Sequence, residues 1–202
     1  PSALYRNNGD GTFTDVTKTS GLDRSDGKAL GVVFADYDSD GRVDLFVAND
    51  LTRNFLYHNE GNGVFKEMGL PAGVAVASDG RVRAGMGTDV GDYDGDGKLD
   101  LVVTNFESEA HSVFRNLGGG LFADGTFESG LGPATLPFLG FGVAFLDYDN
   151  DTDLDLVIAN GHVLDNTSLF KSTSKYAQRN LLLRNEGHGR FTEVGRQSGP
   201  GF

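Results

Sequence analysis

At 202 residues the chain is long enough for one sizeable domain with a core of its own. A formal net charge of −12 argues against nucleic acid as a partner, because phosphate recognition needs basic patches. The lack of cysteine removes disulfide and thiolate chemistry, and apolar runs such as Leu139–Leu146 are far too short for a transmembrane segment. The 30 Gly against 5 Pro, spread rather than clustered, predict many tight turns between short strands. Of the 29 Asp and Glu, 13 fall in three short windows, Asp36–Asp44, Asp92–Asp100 and Asp147–Asp155, and without those 13 acids the formal net charge would be only +1. That acid is placed for a local reason. The sequence opens at Pro1 with neither Met nor a signal-peptide pattern, so residues before Pro1 are expected to have been removed or to lie outside it.

The first expected elements are two short strands, Leu4–Asn7 and Thr12–Val16, joined by Asn7-Asn8-Gly9-Asp10-Gly11. Asn-x-Gly-x-Gly between apolar runs is a hairpin signal, because such a turn needs residues that accept positive φ. Strands at Gly31–Ala35, Leu45–Asn49, Phe55–Asn59 and Val64–Met68 follow, and Leu45–Asn49 is an apolar run of the kind buried on both faces. The glycine hairpin returns at Leu56–Phe65, Val113–Phe122 and Leu182–Phe191. The loop and strand Ala35–Asn49 return at Gly91–Asn105 and Leu146–Asn160, with first aspartates 56 and then 55 residues apart. Four antiparallel strands repeated every fifty-odd residues describe a β-propeller blade. The fold class is therefore all-β, with a half blade and linker over residues 1–30 and blades over 31–84, 85–139 and 140–202. No amphipathic stretch of useful length separates the strands, which argues against an α/β fold. Residues Val163–Arg179 are expected as a long loop between strands two and three of the last blade.

Each aspartate window has carboxylates at loop positions one, three, five and nine: Asp36, Asp38, Asp40 and Asp44; Asp92, Asp94, Asp96 and Asp100; Asp147, Asp149, Asp151 and Asp155. A hard cation such as Ca²⁺ takes six to eight oxygens, and alternate aspartates in a tight loop supply them together. Gly41 and Gly97 at position six permit the sharp turn. Position seven, Arg42 or Lys98, is expected to add its backbone carbonyl, with the cationic side chain turned outward, and Asp153 is counted among the metal residues of the third loop. An EF-hand needs a bidentate Glu at position twelve on an exiting helix. Here that place holds Val47, Val103 or Ile158 inside an apolar strand, so the loops are not EF-hands.

With these loops and hairpins in view, the sequence resembles FG-GAP/VCBS repeats, the calcium-loop blades also found in integrin α-chain propellers. It is most similar in pattern to the propellers of bacterial proteins that carry an ASPIC/UnbV domain, relatives of the cartilage acidic protein group. Residues Ile158–Val163 followed by Asn180–Asn185 carry that likeness. The resemblance covers nearly the whole chain and implies seven-bladed propellers, exported from the cell, with one Ca²⁺ per loop, hence about three per chain. Thr152 departs from the pattern where Gly is wanted, which puts the third site in doubt, and no ASPIC/UnbV segment is visible. Because the chain opens with strands three and four of a blade and closes on a complete one, it is expected to be a fragment of a longer propeller. The remaining blades, or less favourably a second copy, would be its partner.

Structural stapling is the expected role of the loops, since four clustered carboxylates repel one another without a cation. Tyr37, Tyr93 and Tyr148 at position two are expected to pack between blades. His58, His111, His162 and His188 are scattered through turns and strands, and His162 in Asn-Gly-His is expected to make a structural hydrogen bond. Glu107, Glu109 and His111 read as a solvated loop face before they read as a metal site. Asn166-Thr167-Ser168 matches a glycosylation sequon, a frequent chance match. The leading functional expectation is a calcium-binding extracellular or envelope module that presents loops to a protein or glycan. A lectin is the second reading, weakened by the lack of Trp for sugar stacking. The propeller part of a polysaccharide-active enzyme is the third, since no nucleophile elbow, zinc-ligand set or phosphate loop appears.

Overall fold

The computed structural model describes residues 2–170, 175–199 and 202. It is all-β, with three four-stranded antiparallel sheets and one two-stranded sheet. The two-stranded sheet joins β1 (Tyr5–Asn7) to β2 (Phe13–Asp15). The first blade holds β3 (Ala29–Ala35), β4 (Asp44–Asn49), β5 (Phe55–Gly61) and β6 (Val64–Glu67). The second holds β7 (Thr88–Gly91), β8 (Asp100–Val103), β9 (Ser112–Gly118) and β10 (Leu121–Asp124). The third holds β11 (Gly140–Leu146), β12 (Asp155–Asn160), β13 (Leu181–Asn185) and β14 (Phe191–Glu193). In each blade the strands pair in chain order, so the aspartate loop and the glycine hairpin emerge at the same end.

The run of apolar residues in β4 is buried throughout because both of its faces are covered. One face, Phe46 and Ala48 with Leu56 of β5, packs on Leu101, Val103 and Phe114 of the second blade. The other, Leu45 and Val47 with Phe55 and Tyr57, takes Leu4 and Leu22 from the half blade. The second and third blades repeat the arrangement, Val102 and Val113 meeting Leu156, Ile158, Leu181 and Leu183. Each such side chain contributes about 1.5–3 kcal/mol on burial, so the cores between sheets hold the blades together.

The chain after each fourth strand must reverse towards the next inner strand. Gly21, Gly73 and Gly130 make that turn with φ of 84°, 89° and 83°. A Cβ there would lie 2.7, 2.7 and 2.8 Å from the carbonyl oxygens of Phe65, Phe122 and Phe191 in the following blade. Both the positive φ and the close approach require glycine. Three short helices, α1 (Gly69–Ala72), α2 (Leu131–Thr135) and α3 (Gly195–Ser198), fall in or beside these turns. They are too short to leave a periodic signal in the sequence. Within the expected loop Val163–Arg179, residues 167–170 form a single 3₁₀ turn and residues 171–174 lie outside the described residues. Among the described residues no helix is long and apolar enough to cross a membrane.

Candidate metal centres

The three loops fold alike, and position nine explains why. Asp44 Oδ2 accepts from Tyr37 N (3.2 Å) and its Oδ1 from Asn59 N (2.7 Å). Asp100 accepts from Tyr93 N (3.1 Å) and Asn116 N (2.7 Å), and Asp155 from Tyr148 N (3.0 Å) and Asn185 N (2.7 Å). The last aspartate thus ties the start of its own loop to the third strand. Position one sets the turn: Asp36 accepts from Asp40 N and Gly41 N, Asp92 from Asp96 N and Gly97 N, and Asp147 from Asp151 N and Thr152 N. Position six is left-handed in every loop, at φ 86° for Gly41, 85° for Gly97 and 80° for Thr152. The third loop keeps the backbone of the others despite its threonine.

The carboxylates converge. Asp36, Asp38 and Asp40 each offer an oxygen within 4.8 Å of the others, as do Asp92, Asp94 and Asp96, and Asp147, Asp149 and Asp155. Asp151 stands beside the third group with Oδ1 accepting from Asp153 N, while the Asp153 side chain faces the Gly187 turn. The Arg42 and Lys98 side chains stay at the surface, as the sequence led one to expect, but each pairs with a carboxylate of its own loop. The Arg42 guanidinium pairs with Asp40, and Lys98 Nζ lies 2.6 Å from Asp96 Oδ2. Clustered carboxylates attract the nearest mobile cation, and these side chains are the nearest within the chain.

Burial works against ionising the position-nine carboxylates. Asp44, Asp100 and Asp155 are almost wholly buried. Desolvation raises all three above the usual carboxylate range, Asp100 to about 7, although the backbone N–H groups they accept pull the other way. Asp38 Oδ1 is buried without a hydrogen-bond partner among the described residues. An acceptor-only oxygen in that state, beside a carboxylate whose ionised form burial disfavours, is a donor set that fits a divalent cation.

Two features escaped the sequence reading. His58 points its Nδ1 to within 3.2 Å of Asp38 Oδ2 and 3.4 Å of Asp44 Oδ1, so the first loop alone has an imidazole against it. Arg115 and Arg184 stand at the matching strand positions of the other blades. The second feature is the hairpin asparagine. Asn116 Nδ2 donates to Leu99 O of its own loop (2.9 Å) and to Tyr37 O of the preceding blade (2.7 Å). Asn185 does the same with Leu154 O (3.0 Å) and Tyr93 O (2.7 Å). Recurrence of Asn at one place in all four hairpins was the available signal.

Elsewhere, Tyr37 and Tyr93 are buried against the next blade, and burial holds both hydroxyls above the usual tyrosine range. Glu107, Glu109 and His111 do not meet as a site. His111 is fully buried, with its imidazole pushed down to about 3, and Glu109 accepts from Ala84 N. His162 Nδ1 accepts from Leu164 N (3.0 Å), the structural bond expected of it, and its Nε2 lies 3.4 Å from Glu107 Oε1.

The FG-GAP-like repeat matches residues 1–47, 36–103 and 92–158. The second and third matches each run from one aspartate loop through the next, the same period as the internal repeat. The chain is 31% identical over 193 residues to cartilage acidic protein 1 of Xenopus tropicalis, covering 91% of this chain and 28% of that protein. It is 29% identical over 171 residues to cartilage acidic protein 1 of Homo sapiens, covering 80% and 24%. The chain thus spans about a quarter of the length of these curated relatives. A solved structure of an Agrocybe aegerita lectin, described as recognising non-reducing terminal N-acetylglucosamine, is similar at a TM-score of 0.45 and 21% identity over 94% of this chain and 44% of that one. With overlapping matches running from residue 1 to residue 158, the chain belongs to the FG-GAP-like repeat family.

Proposed function

We propose that the chain is a calcium-binding set of propeller blades that acts outside the cell or in the cell envelope as an interaction or scaffold module, not as a catalyst. Asp36, Asp38, Asp40 and Asp44 with the Arg42 carbonyl would hold one ion. Asp92, Asp94, Asp96 and Asp100 with the Lys98 carbonyl would hold a second, and Asp147, Asp149, Asp151 and Asp155 with the Asp153 carbonyl a third. The observation that carries this reading is the buried position-nine aspartate, found in all three loops and raised in pKa by desolvation in each. A bound cation offsets that cost and fastens the loop to the third strand through a residue already bonded to both.

Calcium affinities on the order of 10⁻⁴–10⁻³ M suit modules that work where calcium is plentiful, which supports export. The curated relatives are named for cartilage, an extracellular tissue, in agreement with that. Carboxylates committed to a cation are poor general bases, which supports binding over catalysis. The loops of one propeller end would face a protein or glycan.

The test is thermal unfolding with calcium and with a chelator, alongside elemental analysis of bound calcium. About three ions per chain are expected. At roughly ten times the Kd each site adds about 1.4 kcal/mol, so chelation should remove about 4 kcal/mol in all. No bound calcium and coincident melting curves would overturn the proposal.

A further inference from the structure

Three of the four hairpin strands carry arginine just before the hairpin asparagine, as Arg6, Arg115 and Arg184, whereas the first blade has His58 there. The strand positions are equivalent: Arg115 lies opposite Ala123, Arg184 opposite Thr192 and His58 opposite Lys66. A guanidinium is always protonated and offers no lone pair, while a neutral imidazole is a common ligand of first-row transition metals. The exchange of Arg for His therefore changes what the adjoining aspartate loop can hold. The second and third loops offer oxygen alone, which suits a hard cation such as Ca²⁺, and the first adds a nitrogen.

His58 Nδ1 lies 3.2 Å from Asp38 Oδ2 and 3.4 Å from Asp44 Oδ1, and the three side chains each present a donor atom within 4.8 Å of the other two. Around an ion with bonds of about 2.0–2.2 Å, neighbouring ligand atoms stand roughly 2.9–3.5 Å apart. Neither contact is a hydrogen bond. A protonated Nδ1 at these distances would donate to one of the carboxylates, yet Nδ1 is buried with no hydrogen-bond partner among the described residues, as is Asp38 Oδ1. The ligands are held from behind: Asp44 accepts from Tyr37 N and Asn59 N, and the Tyr37 ring packs edge-on against the imidazole. His58 Nε2 lies 3.8 Å from Asp40 Oδ2, on the side from which a carboxylate orients a metal-bound imidazole. A cavity of about 240 Å³ opens beside Asp38 and His58, with Glu60, Lys66 and Gly120 on its walls, so an ion can enter and water can complete its coordination.

We propose that Asp38, Asp44 and His58 bind a divalent first-row transition metal, of the kind of Zn²⁺, and that the first loop alone of the three does so. The inference rests on the reading of the loops as cation sites and changes which ion the first one prefers. Asp38 and Asp44 also belong to the calcium set, and two dications sharing those carboxylates would repel at close range. The metal therefore replaces the first calcium and does not join it. The second and third loops keep calcium, because Arg115 and Arg184 hold a positive charge where the nitrogen ligand would be needed.

The probe is Co²⁺, whose visible absorption reports its ligands, added to the intact chain in excess calcium, with Zn²⁺ as the competitor. One Co²⁺ per chain is expected, displaced by Zn²⁺, with one calcium released and with His58 ring protons shifted more than those of His111, His162 and His188. His58→Arg supplies the residue that the other blades carry, so the blade and its calcium should persist while Co²⁺ binds about tenfold more weakly or worse. No saturable cobalt binding at millimolar ion, with calcium still counted, overturns this inference and leaves the calcium reading standing, whereas neither ion bound removes both. Equal cobalt binding by the His58→Arg chain, or cobalt bound with every calcium retained, also overturns it.

Discussion

Among the left-handed loop residues that are not glycine, Ser39, Asn150 and Thr152, only Thr152 is β-branched. It holds φ of 80° where Gly41 and Gly97 hold 86° and 85°, and a β-branched side chain there carries strain of roughly 1–3 kcal/mol. The hydrogen bond from Thr152 N to Asp147 Oδ2 at 3.1 Å shows why the backbone does not relax: position one needs that N–H to close the turn. Thr152→Gly relieves the strain but loosens the unfolded chain, which returns about 0.5–1 kcal/mol. A net gain of about 1 kcal/mol is expected, seen as a rise in the denaturant midpoint at constant slope. A midpoint that stays or falls would mean the third loop bears no strain worth relieving. Reading the sequence alone located the departure from glycine but not its outcome, because the pull of Asp147 on the backbone is a matter of geometry.

At the scale of the element, the hairpin asparagine couples neighbouring sheets. Asn116 is 1% exposed and bridges two carbonyls, one in its own loop and one 79 residues earlier in the preceding blade. Asn116→Ala removes both bonds and leaves buried oxygens without a donor, at a cost of about 2–3 kcal/mol. Asn59 is more exposed and makes one such bond, so Asn59→Ala should cost about 1 kcal/mol. Equal losses in chemical denaturation would refute the interblade contribution. Strand edges, aspartate loops and glycine turns were legible because each is written in a short local pattern. The asparagine was read as a turn residue, yet the positive φ values belong to Gly61, Asn62 and Gly63 after it, and Asn59 lies within β5. Its far carbonyl lies in another repeat, and no spacing within one hairpin reports it. His58 was lost for a related reason: only the pairing of β4 with β5 brings it over the aspartate loop. In each loop three of the carboxylates named from the sequence converge, while the pairing of Arg42 and Lys98 with Asp40 and Asp96 depends on local charge, which a residue pattern does not express.

For the molecule as a whole, the charge of −12 and the buried aspartates predict how stability depends on pH. Asp100 rises from the ordinary 3.8 to about 7, first because burial disfavours its charged form, and Asp44 and Asp155 move the same way. Between those two values the folded chain binds protons that the unfolded chain has released. Without a cation, therefore, stability falls as pH rises from about 4 to about 7 and levels off above that. The three units of the Asp100 shift, at about 1.4 kcal/mol each, set an upper bound of about 4 kcal/mol for its part. Most acidic chains behave otherwise, since paired carboxylates are depressed and acid destabilises the fold. A bound cation reverses the sign here as well: it favours the ionised form, draws the folded pKa down, and makes stability fall as pH drops. Melting temperatures measured from pH 4 to pH 8, in chelator and in excess calcium, should therefore diverge as pH rises. Curves that run parallel across that range would mean the buried aspartates do not sense the ion, and the stapling of blades by calcium would fall with them.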